Sequence, residues 1–180
     1  MMNCWKSVNV QREVGINRIY ILSFLIGFLS FIFLFIPFSI IHQTSNMKDH
    51  GIFPLILSLI LLPFVHKLAH FIPLLLTNRT FKLKCRINKR KFPIISLLST
   101  VKMSKRTSII TLLAPTIIIT MPCLIASYLF PNYFAYFVIF ASVNIGLSST
   151  DFLYMNRFLR APRKCIVEND GSGYDILIVK

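Results

Sequence analysis

The chain has few charged residues and very few acidic ones. Only 14% of its 180 residues are charged, and six Asp and Glu stand against 20 Lys and Arg. Because soluble domains are about 25% charged, this composition excludes an ordinary soluble domain. A hydrophobic content of 55% excludes a disordered chain, and six glycines are too few for collagen. The class that remains is an integral membrane protein.

Several familiar motifs are missing as well. The four cysteines have no paired CxxC spacing, so neither a disulfide framework nor a thiolate zinc site is indicated. The sequence contains no glycine-rich phosphate loop of the Rossmann or Walker type. We therefore expect no ATP-driven chemistry from this chain.

Long apolar stretches are the main feature of the sequence. About 20 apolar residues, rising 1.5 Å each, cross a hydrocarbon core of about 30 Å. Residues 19–41 contain no charged side chain, and three later stretches are interrupted by few polar residues. We predict an all-α polytopic membrane protein with four transmembrane helices, at residues 19–41, 52–76, 108–130 and 133–155.

The predicted spans form a membrane domain at residues 19–155, flanked by tails at residues 1–18 and 156–180. Eighteen of the 20 Lys and Arg residues lie in the two tails or in loop 77–107, and one lies between spans one and two. Positively charged segments stay on the cytoplasmic side of a membrane. We therefore expect a multi-pass protein of the cell membrane with both termini in the cytoplasm.

Two cytoplasmic segments have strand patterns. Apolar and basic residues alternate over Thr80–Ile87, and a turn leads from there to Phe92–Ile95. Near the C-terminus, Cys165–Glu168 and Tyr174–Val179 flank the turn residues Asn169–Gly173. These patterns predict small cytoplasmic β-hairpin elements, which we expect to pair with each other or to lie on the bilayer.

Loop 77–107 carries ten basic residues and no acidic one. Such charge orients the neighbouring spans, and it also attracts anionic lipid headgroups. Nucleic acid is not an expected partner, because the loop has only two aromatic residues on which bases could stack. The residues that we expect to contact anionic lipid are Arg79, Lys82, Lys84, Arg86, Lys89, Arg90 and Lys91.

Four ionisable residues inside the predicted spans form the candidate site: His66, Lys67, His70 and Asp151. Such residues are costly in a bilayer, so they mark a functional site by default. His66 and His70 are four residues apart, which places both rings on one face of a helix, where they can bind one metal ion. Asp151 on span four is expected at a similar depth. It would complete three ligands and leave a fourth position for water, as in catalytic zinc sites.

A second interpretation of these residues needs no metal. Lys67 and Asp151 are opposite charges within the spans, and they can neutralise each other in a helix interface. The histidines would then form hydrogen bonds with the backbone or with water. Both interpretations use Asp151, so they exclude each other.

The stretch Leu62–His70, which reads LPFVHKLAH, resembles the H-E-x-x-H helix of a bacterial membrane family of unknown function. Members of this family are described as zincin peptidases, with a layout related to the intramembrane site-two proteases. The resemblance extends from about residue 55 onward and implies zinc as a cofactor, bound by His66, His70 and Asp151. Further similar segments follow in the same order, at Met103–Arg106, Leu113–Pro115, Asn144–Asp151 and Arg160–Gly171.

One residue departs from the family pattern. In H-E-x-x-H the Glu is the general base, and Lys67 occupies its position here. Because an ammonium group cannot accept a proton, we expect no catalytic residue in this chain. The resemblance then implies a degenerate member, a pseudoenzyme, that acts as a membrane-embedded binding or scaffold protein for another membrane protein or a peptide segment. The alternatives are an active zinc metallopeptidase with an unidentified base and a small transporter or its accessory subunit.

Overall fold

The computed structural model describes residues 2–43, 51–77, 84–86, 96–98, 102–162, 165–169 and 173–179. Most of these residues are helical, and two small antiparallel sheets accompany the helices. The helices are α1 (Val10–Val14), α2 (Ile16–His42), α3 (Ile52–Thr77), α4 (Lys105–Pro115), α5 (Met121–Leu129), α6 (Phe134–Leu147) and α7 (Ser149–Leu159). The strands are β1 (Met2–Val8), β2 (Lys84–Arg86), β3 (Ser96–Leu98), β4 (Met103–Ser104), β5 (Cys165–Asn169) and β6 (Tyr174–Val179).

Three helical segments of the described chain are long and apolar enough to cross a membrane. They are Ile16–His42, Ile52–Leu76 and Lys105–Leu129. A fourth candidate combines α6 with α7, which meet at a bend of 46°. Many apolar side chains on these helices are exposed, as expected for surfaces that face lipid rather than water.

The third segment is not a uniform α-helix. A π-helical turn at Thr116–Thr120 separates α4 from α5, and the Met121 N–H bonds to the carbonyl of Thr116, five residues earlier. Pro115, which ends α4, has no N–H to donate. The backbone of this span therefore has carbonyl groups available to side chains from neighbouring helices.

The fourth candidate bends at Ser148, between α6 and α7. The Ser148 hydroxyl donates a hydrogen bond of 2.9 Å to the carbonyl of Asn144. Asp151 lies in the first turn of α7, where the helix dipole favours a carboxylate. Helix α6 packs against α2, α3 and α5, so the residues around the bend lie inside the helix bundle.

The predicted C-terminal hairpin is confirmed, because β5 and β6 pair antiparallel from Cys165–Ile178 to Asn169–Tyr174. It belongs to a four-stranded sheet of order β1-β6-β5-β4. Strand β1 was not predicted, since residues 1–18 were expected to form only a tail.

The expectation that the two hairpins pair with each other is wrong for the described residues. Strand β2 pairs antiparallel with β3 in a separate sheet. The free edge of β6 pairs with β1, and the outer edge of β5 pairs with β4 at Ile166 and Val167. The predicted segment Phe92–Ile95 lies outside the described residues.

A hydrophobic cluster joins the four-stranded sheet to the ends of the helices. Val8, Val167 and Ile176 from the sheet pack with Leu112 of α4 and Phe158 of α7. The Lys105 ammonium group donates hydrogen bonds to the carbonyls of Leu159, the last residue of α7, and of Ala161, where the helix dipole favours a positive charge. The sheet therefore holds α4 and α7, which both contribute to the candidate site.

Candidate metal centre

The structure brings His66, His70 and Asp151 together inside the helix bundle. The Asp151 Oδ2 atom lies 3.3 Å from His66 Nε2 and 3.5 Å from His70 Nε2. The side chains of His66 and Asp151 are 9% and 14% exposed, whereas that of His70 is 21% exposed. The cluster is therefore largely buried and is most accessible on the His70 side.

Pro115 sets the orientation of His70. The carbonyl of Thr111 would normally accept the N–H of residue 115, but proline has none. Instead, the His70 Nδ1 atom lies 2.8 Å from this carbonyl. Because a carbonyl oxygen can only accept, Nδ1 must carry the proton, and Nε2 is directed toward Asp151.

Asn144 sets the orientation of His66 in a similar way. Its amide Nδ2 donates to the Pro115 carbonyl at 3.0 Å and to Thr120 Oγ1 at 2.9 Å, which fixes Oδ1 toward His66. That oxygen lies 2.8 Å from His66 Nδ1, so this nitrogen donates as well. Asn144 is fully buried, and its partners come from the proline and the π-helical turn in span three.

In their neutral form, both rings direct an acceptor nitrogen at a carboxylate oxygen. Asp151 Oδ2 is buried and has no hydrogen-bond partner among the described residues. Its distances to the two nitrogens are longer than ordinary N–H···O hydrogen bonds. Three converging acceptor atoms of this kind call for a positive charge between them, which either a metal ion or a proton on a ring nitrogen can supply.

The spacing of the three atoms fits zinc. Ligand atoms bound at 2.0–2.1 Å in a tetrahedron lie about 3.3 Å apart. The two distances from Asp151 Oδ2, 3.3 Å and 3.5 Å, match that edge, and the third side of the triangle, between the two histidines, is at most 4.8 Å. Histidine nitrogen and carboxylate oxygen are also ordinary zinc ligands. A possible metal site with these three residues is thus present in the structure.

Lys67 lies apart from this cluster. Its side chain is exposed, whereas those of His66 and Ala69 on the same helix are buried. Lys67 follows His66 by one residue, so its side chain is turned about 100° around the helix from that ring. Within the described residues, the ion pairs of Asp151 are those with His66 and His70, and the structure does not bring Lys67 to it.

The expected lipid-contact residues are only partly described. Lys84 and Arg86 lie in β2, which pairs with β3. The other five, Arg79, Lys82, Lys89, Arg90 and Lys91, lie outside the described residues. Lipid contact by this loop therefore stays a prediction.

The sequence matches the model of a family described as "putative zincin peptidase" over residues 59–166. This match covers more than half of the chain and contains all three residues of the cluster. The chain belongs to this zincin-like family. No curated protein and no solved structure matches it.

The residues that orient the two rings were not predicted. Asn144 is an uncharged amide within the apolar run of span four, and such a residue is itself a signal of a buried polar contact. Pro115 signals a free carbonyl four residues earlier, at Thr111. The sequence does not show which helix carries the donor that binds this carbonyl.

Proposed function

We propose that this member of the family is a zinc-binding, non-catalytic protein of the cell membrane that binds or scaffolds another membrane protein. The single observation that supports it best is the geometry of the cluster. His66, His70 and Asp151 come together at a spacing compatible with zinc, and the sequence position of the general base in H-E-x-x-H holds Lys67, whose side chain is exposed and apart from them.

His66, His70 and Asp151 would hold the ion. When bound, zinc in such a site polarises a bound water or a carbonyl oxygen. The chain's own part is to hold both rings in place with Nε2 toward Asp151, through the Thr111 carbonyl and Asn144. This shell of hydrogen bonds is typical of metal-binding histidines.

The sequence has no carboxylate next to either histidine that could act as the general base. Between residues 14 and 167 its only acidic residues are Asp49 and Asp151. Asp151 is one of the three converging groups, and Asp49 precedes Lys67 by 18 residues in the sequence. Removal of a general base typically lowers a rate by 10² to 10⁴. The absence of a general-base carboxylate at the position of Lys67 therefore favours a binding function over peptide hydrolysis.

A second candidate function, active metallopeptidase, is favoured by family membership and by the intact trio. A cleavage assay distinguishes the non-catalytic binding protein from the active metallopeptidase. The zinc-loaded protein in detergent is incubated with a casein-like or peptide substrate. We expect no chelator-sensitive cleavage by the natural chain, and we expect Lys67→Glu to bind zinc at least as tightly. Chelator-sensitive cleavage that disappears in His66→Ala would overturn the non-catalytic proposal.

We also infer four membrane crossings with both termini in the cytoplasm. Strands β1 and β6 are hydrogen-bonded neighbours, so the two ends of the chain lie on one side of the bilayer. An even number of crossings follows from this, which favours counting the bent pair α6–α7 as one span. The distribution of Lys and Arg supports the cytoplasm as that side.

A further inference from the structure

Lys67 lies near the middle of a candidate membrane span and on its outer face. Helix α3 runs from Ile52 to Thr77, so Lys67 is about 4 Å from the helix midpoint. A hydrocarbon core extends about 15 Å on either side of its centre, which leaves Lys67 about 11 Å from the nearer surface. A lysine stem of about 6 Å does not cover that depth.

Lys67 belongs to a stripe of exposed residues on α3, which we call the outer stripe: Ile60, Phe64, Lys67 and Leu75. These positions recur every three, four or eight residues, so they share one helix face. The opposite face holds the buried residues Leu62, His66 and Ala69. The outer stripe is therefore apolar apart from one positive charge. It faces away from His66, whereas His70, three residues after Lys67, lies at its border.

The chain does not supply the negative charge that this lysine requires. Asp151 lies beside the two histidines, and Asp49 precedes Lys67 by 18 residues in the sequence. A second copy of the chain has the same two acidic residues and no other between residues 14 and 167. A homodimer therefore offers no free carboxylate at the depth of Lys67.

We propose that the outer stripe binds a transmembrane segment of another protein that carries an Asp or Glu level with Lys67. The apolar neighbours pack against the partner helix, and the ion pair fixes its depth and orientation. This proposal deepens the proposed function, on which it rests, by naming the chemistry of the partner. It also assigns a role to Lys67, which occupies the position of the general base in H-E-x-x-H.

Photo-cross-linking in native membranes tests the outer stripe. The full chain carries p-benzoylphenylalanine at Phe64, one turn from Lys67 and 58% exposed, and the adduct is mapped by mass spectrometry. The control carries the same probe at Phe24 on α2, a residue that is 72% exposed, and shows which adducts form with non-specific neighbours. Lys67→Met removes the charge at similar volume, and Lys67→Arg keeps it.

We expect a protein adduct at Phe64 that falls about tenfold or more in Lys67→Met and is retained in Lys67→Arg. The mapped peptide should contain an Asp or Glu within an apolar segment, and neutralising that residue should reduce the adduct equally. An adduct unaffected by Lys67→Met, a lipid adduct alone, or a partner segment without an acid would each overturn the proposal.

The zinc content of protein purified from the same membranes is measured in parallel. This second measurement distinguishes a failure of the outer-stripe proposal from a failure of the proposed zinc site. Zinc-free protein with a charge-dependent adduct contradicts the zinc site and supports the outer stripe. Zinc-loaded protein with a charge-independent adduct contradicts the outer stripe alone. Lys67→Met should leave the zinc content unchanged, because its side chain is outside the cluster.

Discussion

At the scale of single residues, the site depends on which nitrogen of each histidine carries the proton. Thr111 and Asn144 each present an oxygen that accepts from Nδ1, so both Nε2 atoms remain available toward Asp151. The candidate cluster thus depends on five residues, of which Thr111 and Asn144 only orient the two rings.

Asn144→Ala tests this dependence. The variant removes the acceptor of His66 Nδ1, so we expect zinc affinity to fall about 10-fold to 100-fold, as for other outer-shell changes. Ser142→Ala is the matched control, because Ser142 is also buried in α6 but donates only to its own helix. Competition with a chromophoric chelator measures both affinities. Equal affinities in the two variants would show that Asn144 has no role in orienting the ligand.

Tyr174 on β6 gives a prediction about pH. Burial, with a smaller effect of the Asp151 charge, raises its pKa from 10.0 to about 12. Because the folded chain holds this proton more tightly, the free energy of unfolding should fall as pH rises from 10.0 toward about 12. The loss reaches about 3 kcal/mol at most. Tyr174→Phe should remove this part of the decline in thermal unfolding above pH 10, and an unchanged decline would contradict the assignment.

The residues of the trio could be predicted because charge is rare in the spans and helical spacing is regular. His66 and His70 follow from their place inside an apolar stretch together with their spacing of four residues, and Asp151 follows from its similar predicted depth on another stretch. The structure does not pair Lys67 with Asp151. Lys67 follows His66 by one residue, so its side chain is turned about 100° around the helix from the ring that contacts Asp151. The role of Asn144 depends on how α6 packs against α3 and on a π-helical turn, neither of which has a periodic signal.

At the scale of elements, α2 and α6 approach closely along a seam of small residues: Ser23, Gly27, Ser142 and Gly146. Both helices have two small residues four positions apart, a spacing that lets membrane helices pack backbone to backbone. A Cβ atom on Gly146 would lie 2.8 Å from the Ser23 carbonyl oxygen, which is too close without movement of α2.

Gly146→Ala and Gly27→Ala form a matched pair at this seam. A Cβ on Gly27 meets its nearest neighbour at 3.4 Å, an ordinary contact, so this variant should be neutral or slightly stabilising. Gly146→Ala should lower the free energy of unfolding by about 1–3 kcal/mol, because α2 must shift. Thermal unfolding in detergent compares them. Equal melting temperatures would mean that the helices are not this close.

At the scale of the whole molecule, the sheet ties the two ends of the chain together at one end of the bundle. Strand β1 pairs with β6 from Met2–Val179 to Val8–Tyr174. The sequence did not predict β1, because among its side chains that the structure describes, residues 4–7 are exposed in succession and Val8 is buried, so no alternation marks it. Its partner strand is near the other end of the sequence, and local pattern does not reveal such pairing.

Cysteine labelling tests the orientation that follows. Cys4 in β1 is exposed, whereas Asn132 lies in the turn between spans three and four. With the other cysteines replaced by serine, Cys4 should resist a membrane-impermeant maleimide in intact cells and react after lysis. In a cysteine-free background, Asn132→Cys should react in intact cells. The reverse pattern, or labelling of both sites from outside, would exclude cytoplasmic termini.

The central claim is that the two imidazoles and the buried carboxylate form a zinc site, and metal analysis of the purified chain tests it most directly. We predict about one zinc per chain, lost in the His66→Ala, His70→Ala double variant. His42→Ala should keep the metal, because His42 is the last residue of α2 and its ring is hydrogen-bonded to the Ser127 carbonyl of α5, away from the cluster. A metal-free natural chain that Asp151→Asn destabilises would contradict the claim and leave only a buried polar cluster.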